Sequence, residues 1–348
     1  MVRATGSGGP TLAVVAREAG VSVPTASKVA NGRQDVAPET RRRVTEVLDR
    51  LGYVRRQRPP AHRRPDLVDL VVHDLAGPRA GAVLHGVDQA AHEAGLGVVI
   101  SAALTGARGD GPGRGWLERL SARGPADGPA GVLLHVKELD AAQHAWLEQR
   151  HIPCVMIDPV ADPPADIPSV GATNWQGGVS ATEHLIGLGH RRIAVIGGAR
   201  HRTCGAGRVA GHRSAMSAAG LQVPPEYVRY GSFDEAGAGR QMLDLLALPE
   251  PPTAVFACSD AMALGAVRAL GERGLRVPRD VSVVGFDDLP QAVWATPALT
   301  TVRQPLSEMA AAALRLLLRL LDGDRPEGMR TELSTRLVVR DSTAPPAA

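Results

Sequence analysis

Apolar positions in the first fifty residues recur at helical spacing and are broken by sharp stops, which predicts three short helices between residues 11 and 53. Thr11 is a candidate N-cap for the first helix, and Gly20 supplies its stop. Ser22 is placed to cap the second helix, Pro24 falls in its first turn, and Asn31 followed by glycine ends it. Two short helices across a tight turn, the second with a polar outer face, predict a helix-turn-helix.

From residue 66 onward the pattern changes to short apolar strands that alternate with helices, which is typical of parallel α/β layers. The proline-rich segment 158–168 separates two similar halves, and we interpret it as a crossing strand or a hinge. Residues 107–115 are rich in glycine and predict a surface loop. The predicted strands span 67–72, 98–101, 132–135, 154–157, 193–198, 254–258 and 281–286, and the clearest helices span 82–95, 174–189 and 260–274.

The distribution of charge separates the same two parts of the chain. The 348 residues carry 39 basic and 36 acidic side chains, a net charge of +3. Residues 1–65 hold 13 of the basic and 5 of the acidic side chains, a net charge of +8, which leaves −5 for the remainder. A basic head on an acidic body predicts a polyanion partner that contacts the head.

The sequence argues against several classes of protein and site. No apolar run approaches the length of a membrane span, and residues 1–10, interpreted as a flexible leader, lack the apolar centre of a secretory signal. The three cysteines are far apart and the eleven histidines follow no metal-binding spacing, so we expect no disulfide, no metal, no cofactor and a cytoplasmic location. Residues 205–210 fit a dinucleotide G-x-G-x-x-A pattern, but they begin too far behind the preceding strand to build its phosphate turn. No hydrolase elbow occurs either, and no enzyme is predicted.

Two sets of motifs resemble the lac repressor/galactose repressor family. In the head the match is carried by T-L-x-x-V-A-x-x-A-G-V-S-x-x-T-x-S-K-V-x-N-G from residue 11, followed by T-R-x-R-V and L-G-Y. In the body it is carried by GHRRIAVIGG, R-x-x-G-H, SDAMALGAVRAL, VPRDVSVVGFDD, PALTTVRQP and LVVRDS, in this order between residues 189 and 342. The resemblance implies an all-α helix-turn-helix head and an α/β, periplasmic-binding-protein-like ligand domain of two lobes with parallel sheets.

The same resemblance implies the domain boundaries. The leader spans residues 1–10, the DNA-binding head 11–57, a linker 58–65 and the ligand domain 66–342. Within the ligand domain we expect the first lobe to contain about residues 66–160 and 293–322. The second lobe is then expected to contain about residues 161–292 and 323–342.

The resemblance places DNA contacts in the head. Val23 and Pro24, with Lys28 one turn later, match positions that touch base edges in the family. Because Val23 and Pro24 carry no hydrogen-bonding group, a contact there would be apolar. Short polar side chains at the remaining family positions, and the arginine runs of the head, are candidates for phosphate contacts. This set comprises Thr11, Ser22, Thr25, Ser27, Asn31, Arg41, Arg55, Arg56 and Arg58.

The linker departs from the family pattern. The family forms a short hinge helix there, with a leucine that opens a central minor-groove step, whereas this chain has paired prolines and His62 near the place of the leucine. Paired prolines can start a helix but cannot occupy its middle. Either an arginine inserts into a narrow minor groove or the segment is a plain tether, and His62 is kept as a candidate DNA contact.

A sugar site needs charged or planar groups for paired hydroxyls and an aromatic face for the ring. Asp158 and Asp287 each follow a predicted strand, where open α/β sheets bind ligands, although capping of the strand end is the alternative role. By the resemblance, Arg208 matches the ligand arginine of the family and Phe233 an aromatic stacking position.

Two positions of the expected sugar site depart from the family. Ser259 and Asp260 stand where the family has Asn-Asp, so either the sugar differs or a water fills the gap left by the shorter serine. In the first lobe, Arg79 and Ala80 replace an aromatic pair, and Asp74 is a candidate for that wall.

The resemblance implies a homodimeric transcription repressor that binds a near-palindromic, double-stranded DNA operator. A mono- or oligosaccharide between the lobes would switch its DNA affinity, either as inducer or as corepressor. Three alternatives stay open at this point. A transport-type sugar-binding protein would need an export signal and no basic head, an enzyme of the ribose-processing kind would need a catalytic constellation, and a related regulator would answer to a purine.

Overall fold

The computed structural model describes residues 12–30, 36–51, 67–103, 115–122, 131–136, 138–200, 202–324 and 326–347. The chain divides into two compact units, Met1–Arg64 and Pro65–Ala348, which we call the head and the body. The predicted leader and the linker lie outside the described residues, as does most of the predicted loop 107–115.

The head contains the three predicted helices, α1 (Leu12–Glu18), α2 (Val23–Ala30) and α3 (Pro38–Arg50). Apolar side chains from all three, among them Val15, Ala26 and Val44, are buried in one small core. The Ser22 hydroxyl accepts a hydrogen bond from the Thr25 N–H at 3.3 Å, which is the N-cap that the sequence predicts. The three-helix prediction is confirmed.

The first sheet of the body has the strand order β11-β5-β4-β3-β1-β2, and its neighbouring strands are all parallel. One face is covered by α4 (Ala80–Glu93) and α12 (Leu306–Leu321), and the other by α5 (Gly115–Ala122) and α6 (Ala141–Gln149). We call this sheet and its helices the first lobe. Its strands are β1 (Leu67–Val72), β2 (Gly97–Ala102), β3 (Val132–His135), β4 (Cys154–Ile157), β5 (Ser169–Ala172) and β11 (Arg330–Leu333).

The second sheet has the order β12-β10-β9-β8-β6-β7, parallel except for the β10–β12 pair. One face is covered by α7 (Asn174–Gly187) and α8 (Thr203–Ala218), and the other by α9 (Glu235–Leu246) and α10 (Asp260–Glu272). The short α11 (Pro290–Trp294) and a 3-10 turn (Pro225–Tyr227) complete this second lobe. Its strands are β6 (Ile193–Gly197), β7 (Val228–Tyr230), β8 (Ala254–Ala257), β9 (Ser282–Asp287), β10 (Thr300–Arg303) and β12 (Arg336–Val338). The predicted fold class is confirmed, and the seven predicted strands coincide with seven of the observed ones.

The chain passes from one lobe to the other at different positions from those that the sequence predicts. The proline-rich segment 158–168 does not cross between lobes, because it joins β4 to β5, which pair with each other in the first sheet. Likewise, β10 belongs to the second sheet and β11 to the first, each opposite to its expected lobe. The chain crosses at residue 173, at 304–305 and at 334–335. Periodicity marks a strand but carries no information about its neighbours, which explains the difference.

Helices α7 and α8 pack backbone against backbone at a glycine crossing. A Cβ atom on Gly211 would clash with the Trp175 carbonyl oxygen. We therefore expect Gly211→Ala to lower the free energy of unfolding of the body by about 1–3 kcal/mol, since an overpacked helix contact must shift the backbone. Thermal unfolding followed by circular dichroism measures the effect.

A second glycine provides the control for this prediction. Gly271 lies inside α10, and a Cβ there would have open space around it. Gly271→Ala should stabilise the protein by about 0.5–1 kcal/mol, because alanine restricts the unfolded chain more than glycine does. Equal unfolding midpoints for Gly211→Ala and the unmodified protein would contradict the proposed role of the crossing.

Candidate functional site

A cavity of about 440 Å³ lies between the two lobes of the body. Its walls come from residues that follow the carboxyl ends of strands in both sheets, where open α/β sheets place their ligands. The volume is within the range of small-molecule sites. Six of the seven residues proposed from sequence line this cavity: Asp74, Asp158, Arg208, Phe233, Ser259 and Asp287.

Arg208, on α8, is the most constrained group of the cavity wall. Its side chain is 1% exposed, and its guanidinium carbon lies 3.6 Å from the centre of the Phe286 ring. Nε donates to Asn174 Oδ1 at 2.8 Å, and Nη1 donates to the Cys258 carbonyl at 2.6 Å. Nη2 lacks a hydrogen-bond partner among the described residues. A buried donor of this kind is costly unless something accepts a hydrogen bond from it.

Asp287 is the last residue of β9 and Asp158 directly follows β4, and both are in the left-handed backbone region, with φ values of 117° and 47°. Such conformations are strained in non-glycine residues and concentrate at functional sites. Asp287 Oδ1 accepts from Gln304 Nε2 at 2.7 Å and lies 3.8 Å from Nη1 of Arg208. The two buried carboxylates therefore face the cavity from opposite lobes, each beside an arginine, because Asp158 pairs with Arg79.

Asp260 does not line the cavity, in contrast to its predicted role. It is buried beneath the turn that follows β9, where Oδ2 accepts from the Leu289 N–H at 2.8 Å and Oδ1 accepts from the Thr301 hydroxyl at 2.5 Å. Burial, reinforced by the neighbouring Asp287 carboxylate, raises the pKa of Asp260 from 3.8 to about 7. Its role is to support the turn that carries Asp287.

This raised pKa predicts a dependence of stability on pH. Between about pH 4 and pH 7 the folded protein holds a proton at Asp260 that an unfolded aspartate has lost, so the free energy of unfolding decreases as the pH rises through this window. Asp260→Asn removes the titration. The unfolding midpoint of the variant minus that of the unmodified protein should therefore increase from pH 5 to pH 8 in calorimetry, and a difference that does not change with pH would contradict the assignment.

Ser259 and Phe233 line the cavity through local structure. The Ser259 hydroxyl accepts a hydrogen bond from the Met262 N–H at 3.2 Å and so caps α10. This cap leaves Ser259 less free to contact a ligand than its place in the family motif implies. Phe233 lies across Gly198, where a Cβ atom would clash with its ring. Glycine at this position leaves room for the Phe233 ring on the cavity wall.

The wall from the first lobe contains polar groups that the sequence did not single out as ligand contacts. His73 follows β1, Arg79 precedes α4, and His135 is the last residue of β3. Burial, with smaller contributions from Arg79 and His73, lowers the pKa of His135 from 6.5 to about 4, so its ring is neutral at pH 7. Nδ1 donates to the Ile157 carbonyl at 3.2 Å, which leaves Nε2 as an acceptor. A histidine at the carboxyl end of a buried strand is a weak signal that could have identified this residue.

In the head, α2 presents the residues that the sequence assigns to base edges. Val23 is 46% exposed, and Pro24 and Lys28 are exposed on the same helix. Ser22 is exposed as well, while Thr25 and Ser27 are half-buried beside it. This surface combines an apolar tip with short polar side chains, which suits contact with a groove edge and its flanking phosphates.

Arg41, a predicted phosphate contact, also makes a hydrogen bond within the head. The half-buried guanidinium of Arg41 donates to the Val36 carbonyl at 3.0 Å, so it also holds the beginning of α3. The remaining predicted DNA contacts lie outside the described residues: Thr11, Asn31, Arg55, Arg56, Arg58 and His62.

In the described part of the chain, no helix combines the length and the apolar character needed to cross a bilayer. Within the same residues, no group of three or more His, Cys, Asp or Glu side chains is arranged to hold a metal ion.

Both the head and the body are similar to known proteins. Residues 11–56 match the family model for bacterial regulatory proteins of the lacI family, and residues 182–343 match the model for the periplasmic binding protein-like domain. The HTH-type transcriptional regulator CelR of Thermobifida fusca is 37% identical over 341 residues, which cover 96% of this chain and 98% of that protein. The HTH-type transcriptional repressor PurR of Escherichia coli is 34% identical over 340 residues, which cover 96% of this chain and 97% of that protein.

Solved structures are similar over the same length. A complex of the transcriptional regulator CelR with cellobiose superimposes with a TM-score of 0.70, at 37% identity, over 96% of this chain and 99% of that chain. The lac repressor dimer bound to operator and the anti-inducer ONPF superimposes with a TM-score of 0.68, at 27% identity, over 96% of this chain and 99% of that chain.

Proposed function

The chain belongs to the lacI family of bacterial regulatory proteins, and we propose that it represses transcription under the control of a neutral saccharide bound between its lobes. As a member of this family it is a DNA-binding transcriptional regulator. We place it in the cytoplasm with its operator, as a homodimer, by analogy with the operator-bound lac repressor dimer.

The DNA-binding half of the proposal rests on the head. Its net charge of +8 and the exposed tip of α2 suit a helix that enters the major groove while neighbouring polar residues hold phosphates. Two heads related by a two-fold axis require half-sites with the same symmetry. We therefore expect a near-palindromic operator.

The observation that carries the effector assignment is the unpartnered Nη2 of buried Arg208, on the wall of the inter-lobe cavity. A sugar hydroxyl accepts from a guanidinium and donates to a carboxylate, so Arg208 and Asp287 form a matched pair for adjacent hydroxyl groups. The Phe233 ring offers an apolar face for the C–H side of a pyranose. Because Asp158 and Asp287 accompany Arg79 and Arg208, the wall favours a neutral ligand.

The relative that binds cellobiose makes a disaccharide the first candidate effector. A purine is the second candidate, since the PurR repressor is similar over nearly the same residues. The cavity favours the sugar, because Phe233 is the one Phe, Tyr or Trp side chain among the described residues that line it, and a planar base gains most from stacking on both faces.

The cavity explains how such a ligand would act at a distance. Its walls belong to both lobes, so a bound sugar stabilises the angle between lobes at which both walls reach it. The ligand changes operator affinity by the ratio of its affinities for the two lobe arrangements. Whether the operator is released or held then depends on which arrangement the sugar prefers.

Calorimetric titration of the full chain with a panel of disaccharides, monosaccharides and purine bases tests the proposal. We expect a disaccharide to bind and to raise the unfolding midpoint as its concentration exceeds its Kd. We also expect it to change operator affinity in a gel-shift assay. Binding of a purine base without any saccharide would overturn the carbohydrate assignment.

A further inference from the structure

A second cavity, of about 500 Å³, adjoins the first one in the body. It is lined by most of the proline-rich segment 158–163, by residues 171–176 where the chain crosses between lobes, by the start of α8 and by residues 330–332 of β11. Asp158 and Cys204 line both cavities, so the two spaces share a wall. The second cavity therefore lies directly beside the candidate sugar site.

The second cavity contains an aromatic platform. Trp175, in the first turn of α7, lies on its wall with 48% of its surface exposed. The backbone around Trp175 is fixed by the glycine crossing of α7 and α8, so the indole is presented from a rigid element. An indole face is the surface that sugar rings use for C–H contacts, because it is large, apolar and low in conformational entropy.

The charges of this cavity argue for a neutral ligand. Asp162 and Glu332 are exposed acidic residues on its wall. The guanidinium of Arg330 already makes hydrogen bonds within the protein, since it donates to the carbonyl oxygens of Ile167, Pro163 and Pro164 at 2.6–2.9 Å. With Asp162 and Glu332 against the one guanidinium of Arg330, these exposed charges are net negative, which disfavours phosphates and acidic sugars, while the carboxylates accept hydrogen bonds from hydroxyl groups.

Polar groups also lie where the two cavities meet. Val160 lines the first cavity and Thr203 the second, and the Val160 carbonyl accepts from both the N–H and the hydroxyl of Thr203, at 3.0 and 3.1 Å. This contact ties the lobes together beside the shared wall. The Val160 carbonyl is used by these two hydrogen bonds, but the Thr203 hydroxyl oxygen can still accept a hydrogen bond from a sugar hydroxyl beside the shared wall.

We propose that the second cavity is a subsite for further units of a neutral oligosaccharide whose first units occupy the cavity of Arg208. The proposal rests on the proposed function, because it needs a saccharide in the first cavity. It assigns Trp175 as the stacking surface of the subsite and Glu332 as a hydroxyl acceptor.

Titration with cellobiose, cellotriose and cellotetraose, which are β-linked glucose chains of two, three and four units, tests this subsite. In the unmodified full chain we expect affinity to rise about tenfold from cellobiose to cellotetraose, which is the effect of one stacking contact. Trp175→Ala should remove this gain and leave the affinity for cellobiose unchanged. Trp175→Phe should keep most of the gain.

A matched control uses another exposed tryptophan. Trp294 is 77% exposed on α11 and lines neither cavity, so Trp294→Ala should leave both affinities unchanged. Equal affinities for the short and long chains in the unmodified protein would overturn the subsite, as would an equal loss for both in Trp175→Ala. In either case cellobiose still binds, whereas failure of every saccharide to bind would instead remove the proposed function.

Discussion

Replacing Arg208 with lysine is expected to weaken effector binding by about two orders of magnitude or more while operator binding without effector is retained. Arg208 uses a planar fork to donate to Asn174 and to the Cys258 carbonyl while Nη2 remains for the ligand. A lysine ammonium cannot reproduce this geometry, and loss of one partner in a buried charged hydrogen bond costs about 2–5 kcal/mol. Calorimetric titration with the saccharide selected by the screen measures the loss.

A surface arginine provides the control. Arg276 is exposed and pairs with Asp280 away from the cavity, so Arg276→Lys should bind effector like the unmodified protein. In a gel-shift assay, Arg208→Lys should bind operator but no longer respond to effector. Unchanged effector affinity in a folded Arg208→Lys protein would exclude Arg208 as the ligand arginine.

The second large effect is expected from salt. If the head neutralises about six to ten phosphates, raising the salt concentration from 50 to 200 mM should weaken operator binding by about 10³–10⁵-fold, because each phosphate contact releases condensed counterions. The charge that drives this effect is concentrated in residues 1–65, while the rest of the chain is net acidic. Fluorescence anisotropy with labelled operator measures the slope.

Truncation tests whether operator binding and effector binding belong to different parts of the chain. A chain without residues 1–65 should lose operator binding and keep effector binding, since the body is a separate compact unit. Operator affinity that does not change with salt would contradict phosphate recognition by the head. Loss of effector binding in the truncated chain would contradict the modular arrangement.

Much of the fold followed from local pattern. The helices of the head are marked by caps and stops such as Ser22 and Gly20, and the central strands by short apolar runs, so both were located to within one or two residues. Edge and crossing strands were missed. Strand β11 is largely exposed and has one apolar residue, β12 is only three residues long, and β5 follows a proline-rich segment that masks it.

The candidate site was predictable where a residue follows a buried strand or belongs to a family motif. Asp158, Asp287 and Arg208 were found in this way, and all three lie on the cavity wall. Asp260 was assigned to the site by the same family motif but does not line the cavity, whereas Arg79 lines it and was not assigned as a ligand contact. Both have the charge expected of a ligand contact, but Asp260 turns beneath Leu289, and Arg79 pairs with a carboxylate that lies 79 positions away in the chain.

The sequence by itself determined the local elements, the separation of charge between head and body, and the side-chain chemistry available at the ends of the strands. These properties depend on residues that are near one another along the chain. Tertiary structure decided which strands share a sheet, where the chain crosses between lobes, and which polar groups face the cavity. Those outcomes depend on contacts between distant residues, such as β11 with β5 and Thr173 with Thr335, for which a single sequence contains no local signal.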